Sequence, residues 1–299
     1  MLTRRRFLSG SAALAVSCGS SANAFAFEDA LGNEIVLPNL PRRVITINSA
    51  MIESVFAIGA GQQVVGVGGK VMHPPEAFGL PSVGGAVGYS AEAVLALKPE
   101  LVVMAVSTSA AAQLTRPMKA MNVPVFLASY SDFPSILRYI GLLGPALGRS
   151  QQAEQLVQNM QAQTVQLRQR LQDRPRLRVF LETGAAGNAA FQTVRRGHYA
   201  NDSIYFAGGE NVFSDLRGPK QVTVEGIAAA DPDKIVVLTS DPNWTSQTIA
   251  QRPGWHVLRA VREGNVVVLP RSFMLVPGPR QAKAISILAH AIHPEAFAQ

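Results

Sequence analysis

The strongest constraint on this chain is that part of it is written twice. Glu92-Ala-Val-Leu-Ala-Leu-Lys-Pro99 runs into Glu100-Leu-Val-Val103, and Glu225-Gly-Ile-Ala-Ala-Ala-Asp-Pro232 runs into Asp233-Lys-Ile-Val-Val237. Each copy reads as a short helix, a proline stop and a buried strand. A capping residue stands two before each glutamate, Ser90 in one copy and Thr223 in the other. Two further pairs keep the same order: Arg43-Val-Ile-Thr-Ile47 with Arg178-Val-Phe-Leu-Glu182, and Asn122-Val-Pro-Val-Phe-Leu127 with Asn265-Val-Val-Val-Leu-Pro270. Matched units in matched order predict two lobes of similar build, at 27–147 and 174–299.

Within each lobe the short runs Val44–Asn48, Leu101–Ala105, Val125–Ala128, Val179–Glu182, Ile235–Thr239 and Val266–Leu269 are almost continuously apolar. Such runs suit strands covered on both faces, as in parallel sheets. Helical patterns at Ala110–Met121, Phe133–Leu147 and Ala282–Ile292 lie between or after them. From Ser150 to Asp173 there is no Gly or Pro, and Ala153, Leu156, Val157, Met160, Leu167 and Leu171 recur at helical spacing. This stretch, taken with its flanks as 148–173, reads as one helix of about 24 residues, about 36 Å long. It lacks the charged flanking pairs of a coiled coil, so a connector and a monomer are expected. The expected fold is α/β: two similar lobes, each a mostly parallel sheet flanked by helices, joined by one long helix.

Residues 1–26 read as an export address. Thr3-Arg4-Arg5-Arg6-Phe7-Leu8 is a twin-arginine start, an apolar stretch follows, and Ala24-Phe25-Ala26 makes a cleavage site. A bacterial envelope location, the periplasm, is expected. Ala15-Val16-Ser17-Cys18 is a poor lipobox, so a soluble form is favoured over a lipid anchor at Cys18. Cys18 is the only cysteine, which leaves the rest of the chain without disulfide or thiol chemistry. The net charge is +7, of which three units belong to Arg4, Arg5 and Arg6. What remains is mildly basic and scattered, which excludes a nucleic-acid footprint. No apolar run is long enough to span a bilayer.

Several segments carry a family resemblance. They are Pro41-Arg-Arg-Val-Ile-Thr-Ile47 with Glu53 and Ile58-Gly-Ala60, Val64-Val-Gly-Val67, and Leu80-Pro-Ser-Val-Gly84 leading to Ser90-Ala-Glu92. Ala207-Gly-Gly-Glu-Asn-Val212 and Pro253-Gly-Trp255 complete the set. Together they resemble the periplasmic substrate-binding proteins of ABC importers for cobalamin, iron–siderophores and haem, the group with a helical backbone. The resemblance implies no catalysis and no intrinsic cofactor. It implies a transported metal complex (haem, a ferric siderophore or a corrinoid) and a permease dimer with its ATPase subunits as partner. In that family one glutamate per lobe docks onto permease arginines; Glu92 and Glu225 match those positions, and the duplication marks the same two residues as equivalent. A first-turn acid that complements a helix dipole is the plain alternative.

Ligands of such proteins bind beyond the carboxyl ends of the strands. The loops there select Asn48-Ser49, Lys70 to Pro74, Ser107-Thr108, Tyr130, Thr183 to Asn188, Asp241 to Trp244 and Arg271-Ser272-Phe273. His73, before Pro74-Pro75, stands where haem-binding relatives place a tyrosine; it is a candidate axial ligand to a bound metal complex, or an ordinary loop histidine. Arg195, Arg196, His198 and Tyr199 form a cluster able to hold carboxylates or phosphates, or else a solvated loop. Tyr130 and Trp244 are candidate stacking partners, and Arg271 a candidate ligand contact. An envelope hydrolase or another α/β enzyme using the same cleft is the rival reading. Gly66-Val-Gly68-Gly69-Lys70 fails the spacing of both phosphate-loop motifs, and no nucleophile elbow or zinc motif occurs.

Overall fold

The computed structural model describes residues 25–85, 88–105, 115–187 and 190–298. The expected export segment up to residue 24, and the loop residues Ser107, Thr108 and Asn188, lie outside them. The first lobe holds four parallel strands, Val44–Ile47, Val64–Gly68, Leu101–Ala105 and Val125–Ala128. Numbered along the chain they pair in the order second, first, third, fourth. The second lobe repeats that order with Leu177–Glu182, Gly209–Asn211, Lys234–Thr239 and Val266–Pro270, again all parallel. The written duplication is therefore a duplication of topology. An antiparallel hairpin, Phe25–Glu28 with Glu34–Leu37, precedes the first lobe. It pairs Phe25 with Leu37 and Ala26 with Val36, so cleavage after Ala26 would leave two of its four pairs.

Both faces of each sheet are covered. On the outer face of the first lobe, Ile45, Val102 and Met104 pack with Val94 and Met118. On the outer face of the second, Phe180, Ile235 and Val237 pack with Ile227 and Trp255. The inner faces share one core. It runs from Val44, Val103 and Phe126 through Ile136, Leu143, Met160 and Leu167 to Leu181, Leu238, Ile285 and Leu288. Three helices build this bridge: Phe133–Ala146, the connector Ser150–Leu171 and the C-terminal helix Gln281–Ile292. The connector lies against both of the others. At its start, an added Cβ on Gly144 would sit 2.7 Å from the Ala153 Cβ and 3.0 Å from the Ser150 Cα. Glycine is what lets the two helices close on each other there.

Polar ties reinforce the bridge. Arg280, at the N-cap of the last helix, makes two hydrogen bonds to the buried carboxylate of Glu53, at 2.8 and 2.6 Å. The Tyr139 hydroxyl donates to the Pro277 carbonyl at 2.5 Å and stands 3.2 Å from the Ser54 hydroxyl. Phe133 N–H donates to the Asp202 carboxylate across the lobes at 3.1 Å.

Candidate functional site: the cleft between the lobes

A cavity of about 680 Å³ opens where the carboxyl ends of the two sheets face each other. Each wall starts at a strand end. Ile47 ends the first strand of lobe one, and Asn48, Ser49 and Ala50 follow it into the cleft. Asn48 has φ 74°, a left-handed backbone that a non-glycine residue rarely holds. It is fixed there by its own side chain: Oδ1 accepts from Met51 N–H to cap the helix Ser49–Ala57, and Nδ2 donates to the Ala105 carbonyl. Tyr130 follows the fourth strand of that lobe. Across the cleft, Thr183 follows the first strand of lobe two and Arg271 follows its fourth.

The floor is aromatic. The rings of Tyr130 and Tyr199, one from each lobe, meet edge to face with centroids 6.1 Å apart. Burial raises the pKa of both phenols, so they stay neutral and protonated in the open cleft. His198 is the N-cap of the helix Tyr199–Phe206, its Nδ1 accepting from Ala200 N–H at 3.2 Å. Burial first, and then the Lys220 ammonium, lower its pKa to about 4. At neutral pH the ring is uncharged, its Nδ1 lone pair is engaged, and its proton sits on Nε2. His198 is therefore a hydrogen-bond donor to the cleft and not a free metal ligand.

One wall comes from a small antiparallel sheet, Gly184–Ala186, Ala190–Gln192 and Gln221–Val222. It supplies Gln192, Thr193, Lys220 and Gln221 to the lining. None of these four was singled out from sequence. The Gly187-Asn188 pair between two short runs is a hairpin signal that points to this sheet. An added Cβ on Gly184 would lie 3.3 Å from the Arg271 guanidinium, so the bare backbone gives that side chain its place. Lys220 and Arg271 are the cations of this lining, and among the described residues no carboxylate opposes them.

The remaining candidates fall elsewhere. Trp244 lines a second cavity of about 640 Å³, with Lys70 and Met72 of lobe one and Thr239 to Pro242 and Ser272 of lobe two. The two cavities are neighbours, since Ser49 of the first hydrogen-bonds the Lys70 carbonyl of the second. Trp244 also lies over Arg252, 4.6 Å from ring centre to guanidinium. Arg252 in turn grips the buried Glu182 carboxylate with two bonds at 2.6 and 3.0 Å. His73 faces a separate concavity of about 280 Å³ bounded by Glu53, Glu76 and Arg280. Arg196 pairs with Asp215 at 2.9 Å on the surface, and Arg195 reaches the Gly218 carbonyl. Neither lines the 680 Å³ cavity. Glu92 and Glu225 are exposed second residues of the helices Ala91–Ala96 and Val224–Ala230, each preceding the third strand of its lobe. Among the described residues, no three His, Cys, Asp or Glu side chains group as a metal site, and no helix is long and apolar enough to cross a membrane.

Residues 44–272 match the family described as Periplasmic binding protein. The chain belongs to that family. Its fold is that of the solved two-lobed members. The periplasmic heme-binding protein RhuT of Roseiflexus sp. RS-1, in apo form, superposes with a TM-score of 0.72 at 26% identity, over 85% of this chain and 99% of RhuT. The uncharacterized ABC transporter substrate-binding lipoprotein YvrC of Bacillus subtilis is 26% identical over 90% of this chain and 86% of its own length. The vitamin B12-binding protein of Salmonella choleraesuis is 33% identical over 65% of this chain and 71% of its own. As a periplasmic binding protein, the chain presents a cleft backed by the three packed helices that bridge its lobes.

Proposed function

We propose that the protein is the substrate-binding component of an ABC importer in the bacterial envelope, that it performs no catalysis, and that its guest is a corrinoid. The observation that carries this reading is the lining of the 680 Å³ cavity. Amides and hydroxyls of Thr183, Gln192 and Gln221 surround an aromatic floor, with Arg271 and Lys220 unopposed among the described residues. A corrin ring bears a rim of amide side chains and one phosphate, which such a lining complements by hydrogen bonds and charge. The lining grips a guest by its periphery: the phenols are neutral and the His198 lone pair is engaged. That suits a metal already satisfied by its own ligands. The similarity to a vitamin B12-binding protein supports the same choice. A ferric siderophore is the second reading, favoured by the same cation pair. Haem, which needs an axial ligand, finds none ready in this lining: His73 faces the separate concavity, and burial keeps the Tyr130 phenol protonated.

The proposed organisation is an export segment at 1–26 of twin-arginine type, lobes at 27–147 and 174–299, and a connector at 148–173. Glu92 and Glu225 are the proposed contacts to the permease. They sit at equivalent places in the two lobes, and Glu225 is held well ionised by hydrogen bonds from Thr223 and its own main chain. The ligand assignment is tested by titrating the purified protein with cyanocobalamin and with haemin, and by absorbance and mass spectra of protein taken from its native envelope. A corrin band and saturable cyanocobalamin binding are expected; a Soret band without corrinoid binding overturns the choice.

A further inference from the structure

The helices that carry Glu92 and Glu225 are too short to hold themselves. They have six and seven residues, and each buries a single side chain, Val94 in one and Ile227 in the other. Around them only Ala93 and Leu97 in the first and Val224 in the second add partly buried contacts, a narrow footing on which a short helix can tilt. What fixes the tilt is built alike in both lobes. In lobe one, Arg43 stands just before the first strand and forks the end of the helix: Nη2 donates to the Leu97 carbonyl at 2.7 Å, and Nε donates to the Leu97 and Lys98 carbonyls at 3.2 Å. In lobe two, Arg178, the second residue of the first strand, does the same: Nη2 donates to the Ala230 carbonyl at 2.7 Å and Nε to the Asp231 carbonyl at 3.4 Å.

The main chain closes each unit in the same way. Glu100 accepts from the Arg43 main-chain N–H through its carboxylate, and its own N–H donates to the Arg43 carbonyl at 2.8 Å. Asp233 repeats both bonds with Arg178, each at 2.8 Å. The turn residues Lys98 and Asp231 both take the left-handed backbone, with φ 45° and 38°. Lobe two adds a brace, Arg259, bonded to Asp231 and Asp233. A guanidinium forking the last carbonyls satisfies groups a helix end leaves open and complements its dipole. Its outcome here is an orientation: the helix is bolted to the strand ends of its own sheet, and the glutamate in its first turn points where that bolt allows.

We propose that Arg43 and Arg178 are positioning residues for the permease contact, each setting the angle at which its lobe presents Glu92 or Glu225. The inference rests on the docking role proposed for those glutamates, and the experiment separates the two. Fluorescently labelled protein is titrated onto membrane vesicles of the producing bacterium, with unlabelled wild-type protein as competitor. Arg43→Ala and Arg178→Ala are each expected to raise the half-saturating concentration about threefold or more, and the double variant further. Far-UV circular dichroism sets the folded fraction at which the comparison is made. If folded variants bind the vesicles like wild type, the arginines only stabilise and the inference fails. Should the alanine variants not fold, Arg43→Lys with Arg178→Lys keeps the charge but loses the fork; its binding must weaken, and wild-type binding overturns the inference. Glu92→Ala with Glu225→Ala is the reference. If that pair binds like wild type, the docking role itself falls and the inference goes with it.

Discussion

Burial and the Lys220 ammonium lower the His198 pKa to about 4, against an ordinary value of 6.5. Between those two values the unfolded chain binds a proton there and the folded chain does not. Stability must then fall as pH drops from 6.5 towards 4, by about 3 kcal/mol from this group. Thermal midpoints of wild type and His198→Gln between pH 4 and 7 measure it: the variant should lose part of the acid sensitivity. The cleft cations belong to the same scale. Arg271→Ala and Lys220→Ala are each expected to weaken cyanocobalamin about tenfold by calorimetry, the loss of one charge-assisted bond. Arg252→Met should act on stability instead. It leaves the Glu182 carboxylate, fully buried and already pushed up in pKa by that burial, without its partner. Breaking such a pair costs about 3 kcal/mol or more, and a urea titration should show it.

Elements show how far residues alone could lead. The six apolar runs that read as buried strands are six of the eight strands of the two sheets, shifted by one or two residues at their ends: Val179–Glu182 begins at Leu177, and Val266–Leu269 extends to Pro270, while Val64–Gly68 and Gly209–Asn211, broken by glycine or polar residues, were not among those runs. The six were legible because a strand covered on both faces must be apolar throughout. The repeated helix–proline–strand unit was legible because its capping serine and threonine sit at fixed spacing from the glutamates. The cleft was less so. Tyr130, His198, Tyr199 and Arg271 line it because they follow strand ends or cap a helix beside it. Lys220, Gln192 and Gln221 reach it only through a small antiparallel sheet whose strands have two or three residues, too short for a periodic signal. Arg195 and Arg196 carry the right chemistry, but the loop turns them to Gly218 and Asp215. The close approach at Gly144 was hidden too, because it depends on a neighbouring helix. Gly144→Ala should cost about 1–2 kcal/mol through overpacking, seen as a thermal midpoint lower by a few degrees.

At the scale of the whole molecule, one core joins both inner sheet faces, so the lobes should not melt separately. A single calorimetric transition is expected, and Glu53→Ala, which frees Arg280, should lower its midpoint without splitting it. Two transitions would show that the lobes fold independently. Small-angle scattering with and without cyanocobalamin should differ little, since the bridge of three helices resists a wide hinge.

That bridge has a consequence for traffic at the membrane. If Glu92 and Glu225 engage the transporter, they do so as two pins set in one block, with a spacing that loading cannot change much. An empty carrier then fits the socket nearly as well as a full one, and should compete with it for the same sites. The transporter would have to tell them apart by the cargo exposed at the mouth of the cleft, not by the shape of what holds it.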